Sequence, residues 1–179
     1  MTNILHKLRG GDLRSIGKAN DVAREVVENT ELFGPLFSGL YDEDPVVRMR
    51  SADVIEKVTR IKPELLSGYG SRVISILRSV EQQEVCWHIA QLSPRLDYTK
   101  DEESQLIELL KKLLSHKSKI VRVSAMDSLA VFADRNAVIL QDVIEIIKVQ
   151  MESGSPAVLS RGRKLLQRLE RRKASQSTR

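Results

Sequence analysis

The chain has 179 residues, of which 41% are hydrophobic, 4% aromatic and 30% charged, and its formal net charge is +5. This length is enough for one substantial core, and the composition suits amphipathic helices with aliphatic cores. The single cysteine, Cys86, excludes an intramolecular disulfide and favours a reducing compartment. No apolar run reaches the roughly 20 residues of a membrane span. We therefore expect a soluble, cytoplasmic protein without a membrane partner.

The chain contains an internal repeat with a period of about 37 residues. The segment that begins Asp44-Pro45-Val46-Val47-Arg48 returns near positions 81, 118 and 155, and the copy at 81 is the most divergent. A period of this length with helical residues inside each unit predicts a stacked helical array. The predicted units are 12–43, 44–80, 81–117, 118–154 and 155–172, which together form a single domain over 1–172. A basic, disordered tail is predicted for 173–179.

The helix boundaries are predicted from capping residues, taken in chain order. Asp12 is expected to cap the first helix, with its apolar face formed by Ile16, Ala19, Ala23 and Val26. In the second unit, Asp44 is the predicted N-cap and Pro45 the first helical residue.

Later units use related signals. Thr99 and Glu102 have the spacing of a capping box in the third unit. Ser118 is the predicted cap of the fourth unit, and Ser155-Pro156 repeats the Asp44-Pro45 arrangement in the last.

These residues resemble the HEAT-repeat family, in which each unit is a pair of antiparallel helices. The resemblance rests on the Asp44-Pro45-Val46-Val47-Arg48 opening and on the small residues Ser51 and Ala52, and it covers roughly residues 12–170. Stretches such as CWHIAQLSPRL are also similar to small bacterial HEAT-repeat proteins. The resemblance implies an all-α fold, a right-handed, armadillo-like α-solenoid of about five helical hairpins with the last one incomplete. It also implies, by fold analogy, a scaffold that binds another protein.

The third unit carries the candidate partner-binding residues. At 100° per residue, a helix that continues through this unit would place four residues together on its outward side: Trp87, His88, Gln91 and Arg95. Trp and Arg are frequent binding anchors. The alternative interpretation is structural, with Trp87 covering a neighbouring unit and His88 and Arg95 bonding to loop carbonyls.

The positive charge is concentrated at the C-terminal end. From residue 155 onward, eight basic residues oppose one acidic residue, Glu170. The residues that could contact phosphate are Arg161, Arg163, Lys164, Arg168, Arg171 and Arg172. The alternative is that they form the polar outer face that a terminal repeat needs for solubility.

No pattern in the sequence predicts catalysis. His6, His88 and His116 lie on different elements without metal-ligand spacing, so we predict neither a metal nor any other cofactor, and no small-molecule substrate. Cys86 lies beside the apolar stripe of its helix and is expected to be inert. The sequence thus favours a non-catalytic protein-binding scaffold. The alternative is a nucleic-acid binder that uses the basic end, a degenerate relative of the HEAT-like alkylpurine DNA glycosylases.

Overall fold

The structure is a computed structural model that describes residues 4–152 and 154–177. Within these ranges the chain is all-α, as predicted, and contains no strand. The α-helices are α1 (Ala19–Glu28), α2 (Phe33–Ser38), α3 (Pro45–Ile61), α4 (Gly70–Ser79), α5 (Gln83–Leu92), α6 (Lys100–Leu113), α7 (Lys119–Arg135), α8 (Ala137–Glu152) and α9 (Pro156–Ser177). Short 3-10 helices cover Ile4–Leu8, Thr30–Leu32, Gly39–Tyr41, Pro63–Leu66 and Ser93–Arg95. None of the helices in these ranges is both long enough and apolar enough to cross a bilayer.

The chain divides into two compact units, Met1–Glu102 and Glu103–Arg179, and the boundary falls inside α6. In the first unit, α3 is the central element and packs against α1, α2 and α5. Its apolar core residues Val47, Val54, Ile55 and Val58 are removed from solvent, and polar residues such as Arg50 and Glu56 are buried on the same helix. Burial of each such side chain contributes about 1.5–3 kcal/mol, which makes α3 the main source of the unit's stability.

The start of α3 confirms the predicted cap. The Asp44 carboxylate accepts a hydrogen bond from the backbone N–H of Val46 at 2.8 Å, and Pro45 is the first helical residue. The capping box is confirmed as well, because Thr99 and Glu102 exchange side-chain-to-backbone hydrogen bonds at 2.9 and 3.2 Å. At Ser118 the backbone adopts the N-cap position, but the hydroxyl makes no cap bond.

The prediction for the first helix was wrong at its N-terminal end. α1 begins at Ala19, and Ile16 lies in the preceding loop with 47% of its surface exposed. The physical reason is Gly17, whose φ of +51° is incompatible with a continuing right-handed helix. Asp12 accepts a hydrogen bond from the N–H of Arg14 instead of capping a helix.

The second unit contains α7, α8 and α9, which pack against one another in pairs. Their shared core consists of aliphatic and aromatic side chains, among them Val121, Leu129, Phe132, Val143, Ile147, Leu165 and Leu169. α9 continues as a helix to Ser177, so residues 173–177 are helical where a disordered tail was predicted. Arg171, Arg172, Lys173 and Ala174 are all good helix formers, and neither glycine nor proline follows Gly162. The last two residues of the predicted tail, 178 and 179, lie outside the described residues.

Candidate functional site

The structure places three of the four predicted partner-binding residues on α5 and the fourth on the 3-10 helix that follows it. Trp87 and His88 lie half-buried on α5, and Gln91 lies exposed near its C-terminal end. Arg95 is not on α5 at all, because Pro94 follows the end of the helix and the chain turns through the 3-10 helix Ser93–Arg95. The predicted face assumed one continuous helix, but α5 ends at Leu92 and Arg95 does not follow its helical phase.

Arg95 belongs to a closed cluster of charged and polar groups. This Glu56 cluster consists of Glu56, Thr59, Arg60 and Arg95. Arg95 donates from Nη2 to Glu56 Oε1 at 2.5 Å, and from Nη1 to the Glu56 carbonyl at 2.9 Å and to Thr59 Oγ1 at 3.0 Å. Arg60 donates to both oxygens of Glu56 at 2.8 and 2.7 Å.

The negative charge of Glu56 is compensated, because two arginines pair with this one carboxylate. The Glu56 side chain is only 4% exposed, and burial alone would raise the pKa of its carboxyl, but hydrogen bonds from Arg60 and Arg95 lower that pKa below its usual value. Glu56 therefore stays ionised, and both of its oxygens are paired with arginine. The geometry of Arg95 is that of a structural residue that ties the end of α5 to α3.

Trp87 and His88 line a cleft in the first unit. This Trp87 cleft encloses about 260 Å³ and is formed by the loop before α1, by α3 and by α5. Its lining residues are Leu13, Arg14, Ser15, Ile16, Met49, Arg50, Asp53, Gln83, Glu84, Trp87 and His88. The cleft thus joins two predicted site residues with a loop that the sequence did not single out.

Arg50 holds that loop in place. Its side chain is buried and donates from Nε to the Ser15 carbonyl at 3.0 Å, and from Nη1 to the Leu8 and Gly10 carbonyls at 2.8 and 2.7 Å. Gly17 lies directly against the guanidinium, since a Cβ there would be 2.8 Å from Arg50 Cζ. Within the described residues, no carboxylate lies at ion-pair distance from Arg50, so its charge meets only neutral carbonyls.

The loop presents two large apolar side chains at the cleft. Leu13 is 43% exposed and Ile16 is 47% exposed. Neither side chain is covered by the core of the first unit. The contacts of Arg50 and Gly17 fix the loop backbone in a conformation that leaves both side chains exposed. Fixed, exposed aliphatic side chains beside a tryptophan form an apolar surface that another molecule can cover.

His88 connects the apolar part of the cleft to its charged part. Its ring lies 5.1 Å from the ring of Trp87, and its Nε2 is 3.9 Å from Asp53 Oδ1, too long for a hydrogen bond. Burial lowers the pKa of His88, although the Asp53 carboxylate opposes this shift. His88 is therefore neutral at neutral pH, and its buried Nδ1 has no hydrogen-bond partner among residues 4–152 and 154–177. Asp53 itself is paired with Lys57 at 2.6 Å.

Cys86 follows Val85 on α5 next to Trp87, but it does not line the Trp87 cleft. Its thiol is buried and donates to the Val80 carbonyl at 3.2 Å. Burial raises the pKa of the Cys86 thiol to about 11, so the thiolate needed for nucleophilic attack is scarce at neutral pH. Across residues 4–152 and 154–177, no group of three or more His, Cys, Asp or Glu side chains could hold a metal ion.

The second unit carries a groove between the second helices of two predicted repeats, α6 and α8. It encloses about 370 Å³, and Leu114, Ile146 and Val149 form its apolar part. Lys111 bridges its rim, with Nζ 2.9 Å from Glu108 and 3.4 Å from Asp142. The charges of this groove are mixed, which does not favour the phosphate backbone of a duplex.

The six basic residues predicted to contact phosphate fall into two groups on α9. Arg161 and Arg168 form ion pairs with Asp127 and Asp134 of α7, the second at 3.0 Å. The other four are exposed: Arg163, Lys164, Arg171 and Arg172. The paired group ties α9 to α7, whereas the other four residues form no ion pair with an acidic side chain of the described residues.

Comparison with known proteins does not identify a family or a function for this chain. No protein-family model, curated protein or solved structure matches the chain. Membership of the HEAT family therefore stays a prediction, and the function has to be inferred from the clefts themselves.

Proposed function

We propose that this chain is a non-catalytic protein-binding module, built from HEAT-like helix pairs in a right-handed solenoid, that holds a partner protein in the Trp87 cleft. One observation carries the proposal. Leu13 and Ile16 stand exposed on a loop that Arg50 fixes beside Trp87. In this view, the loop exists to present apolar surface to another protein.

The energetics favour such a use of the loop. Leu13 and Ile16 are each somewhat under half exposed, so covering the exposed part contributes about 0.7–1.4 kcal/mol for each residue. Together they supply a part of the free energy of a micromolar affinity. Because Arg50 and Gly17 already hold the backbone, little conformational entropy is lost when a partner binds. Trp87, half-buried in the same cleft, has the character of an interface anchor.

Affinity capture with matched variants tests this proposal. The wild type, a Leu13→Ser/Ile16→Ser double variant and a Val138→Ser variant are immobilised and incubated with native lysate. Val138 is 88% exposed and belongs to the second unit, so it controls for the loss of exposed apolar surface elsewhere. All three substituted positions are exposed, and each change is expected to alter stability by less than about 0.5 kcal/mol.

The proposal predicts that one set of partners is retained by the wild type and by Val138→Ser, and is lost from the double variant. Helical circular dichroism verifies that the three proteins are equally folded. Recovery of the same partners on all three proteins would contradict the proposal.

Nucleic-acid binding is the second candidate, and the observation that favours it is the exposed group on α9. Arg163, Lys164, Arg171 and Arg172 would neutralise phosphates and release counterions, so affinity for a labelled duplex should fall steeply as salt rises. Replacing these four residues with glutamine should abolish that binding. Replacing Arg161 and Arg168, which are paired with aspartates, should instead reduce stability. Duplex affinity that does not depend on salt would exclude this candidate.

A further inference from the structure

The charges around the Trp87 cleft are not balanced. Asp53 is paired with Lys57, and Glu84 accepts a hydrogen bond from the amide of Gln83 at 2.9 Å. Arg14 is exposed, and in the described part of the chain no acidic side chain pairs with it. Arg50 beneath the loop is likewise met only by carbonyls. Two guanidinium charges therefore lack an acidic partner, against one carboxylate, Glu84, that lacks a cation.

Uncompensated arginine beside an apolar surface selects a particular ligand chemistry. Guanidinium groups bind carboxylates with two parallel hydrogen bonds, which are stronger than bonds between neutral groups. The apolar wall of Leu13, Ile16 and Trp87 calls for an aliphatic side chain next to that carboxylate.

The size of the cleft restricts the ligand further. Its volume of about 260 Å³ lies below the range of roughly 300–1,000 Å³ that is usual for small-molecule sites, so it has room for about one amino-acid residue. Only the last residue of a polypeptide carries a side chain and a free α-carboxylate within that space. Capture of a C-terminal carboxylate is a recurring mode of peptide recognition.

We propose that the Trp87 cleft binds the C-terminal residue of a partner polypeptide, with an aliphatic side chain against Leu13, Ile16 and Trp87 and the carboxylate at Arg14. This inference rests on the proposed function and specifies the part of the partner that enters the site. Arg50 is a positioning residue here, because it fixes the loop that carries Arg14 and adds positive charge beneath it.

The fluorescence of Trp87 reports on this site directly, since it is the single tryptophan of the chain. Three probes are titrated into the purified protein. N-acetyl-L-leucine carries the α-carboxylate, and N-acetyl-L-leucinamide lacks it. The aspartyl probe, N-acetyl-L-leucyl-L-aspartic acid α-amide, has its α-carboxyl group blocked and carries a carboxylate only on the aspartate side chain. We expect a saturable change with N-acetyl-L-leucine in the millimolar range, and at least about tenfold weaker binding of the other two probes.

Two variants locate the carboxylate. Arg14→Gln should remove the preference for N-acetyl-L-leucine over its amide, and Arg24→Gln, which changes an exposed arginine of α1 that does not line this cleft, should keep it.

The outcomes separate this inference from the proposed function. Equal binding of the acid and the amide, or stronger binding of the aspartyl probe, overturns the C-terminal assignment while the apolar site stands. Absence of any response to the three probes overturns the assignment too, and the capture experiment with Leu13→Ser/Ile16→Ser then judges the proposed function independently.

Discussion

The Glu56 cluster and the Trp87 cleft both contain acidic and basic side chains of α3 and its neighbours. They differ in whether the charged groups pair with groups of opposite charge. Glu56 and Asp53 lie three residues apart on α3. In the cluster, two arginines bond both oxygens of a carboxylate whose side chain is only 4% exposed. In the cleft, Arg50 is met by carbonyls, no acidic side chain of the described ranges pairs with Arg14, and apolar side chains remain exposed. The charged groups of the Glu56 cluster bond to one another and link α3 to the segment after α5. The incompletely paired charge and exposed apolar surface of the Trp87 cleft are the features from which we propose a ligand site.

The largest effect on stability is expected from removing an arginine of the Glu56 cluster. Arg95→Ala leaves Glu56 buried with a single exposed arginine partner, so we expect the free energy of unfolding to fall by about 3–5 kcal/mol, measured by urea denaturation. Arg60→Ala is the matched control, since Arg60 contacts the same carboxylate from a side chain that is 67% exposed, and it should cost less than about 1 kcal/mol. Equal losses in the two variants would contradict the structural role of Arg95.

The next largest effect on stability is expected at Gly17, in the loop that forms part of the Trp87 cleft. Gly17→Ala combines a positive φ with a Cβ placed 2.8 Å from Arg50 Cζ, and should cost about 2–4 kcal/mol and weaken the fluorescence response to N-acetyl-L-leucine. Gly10→Ala has a φ of +79° but no atom within 4 Å of the added Cβ, so it should cost only about 1 kcal/mol. If the two variants behave alike, contact between Gly17 and Arg50 does not hold the loop.

A smaller, pH-dependent effect distinguishes His88 from Glu56. The pKa of His88 is lowered by burial, so the unfolded chain binds more protons than the folded chain as the pH falls through the usual histidine value of 6.5. Stability should therefore decrease between about pH 7.5 and about pH 5.5. The carboxylates of Asp53, Glu56 and Glu84 oppose this shift and Lys57 reinforces it.

His88→Gln should flatten the stability curve in this pH window, as measured by urea unfolding at each pH. The contribution of Glu56 is lost only below its usual value of 4.5, because its pKa is lowered, and so lies outside the window. Parallel curves for the wild type and His88→Gln would show that His88 does not titrate in this way.

The smallest effect is expected at Gln91. This residue is exposed and does not line the Trp87 cleft, so Gln91→Ala should change stability by less than about 0.5 kcal/mol and leave the Trp87 response unaltered. A strong loss of partner binding in this variant would instead support the binding face that the helical pattern predicts, which includes Gln91.

The sequence predicted the parts of the fold that depend on local signals. The all-α class, the Asp44 cap and the Thr99–Glu102 capping box are each encoded within a few residues, and all three are confirmed. The error at Ile16 arose because apolar spacing continued across Gly17, whose backbone conformation cannot be read from spacing. The error in the placement of Arg95 arose because α5 ends before Pro94, so its helical phase does not extend to Arg95.

The candidate site was predicted only in part because its key contacts are distant in sequence. Arg50 bonds to carbonyls 35 to 42 residues earlier in the chain, and no periodicity carries that information. Two signals could still have pointed to it. Arginine stands within the strongly buried segment of α3, and the glycines at 10, 11 and 17 mark a loop that approaches another group closely.

The most direct test of the central claim is site-specific photo-crosslinking in the native cell. A benzoylphenylalanine residue is placed at position 16 in the Trp87 cleft or, as a control, at the exposed position 138. We expect a crosslinked partner from position 16 that is absent from position 138 and that disappears when Trp87→Ala is added. Crosslinks of equal yield from both positions, or crosslinks from position 16 that are indifferent to Trp87→Ala, would contradict this expectation.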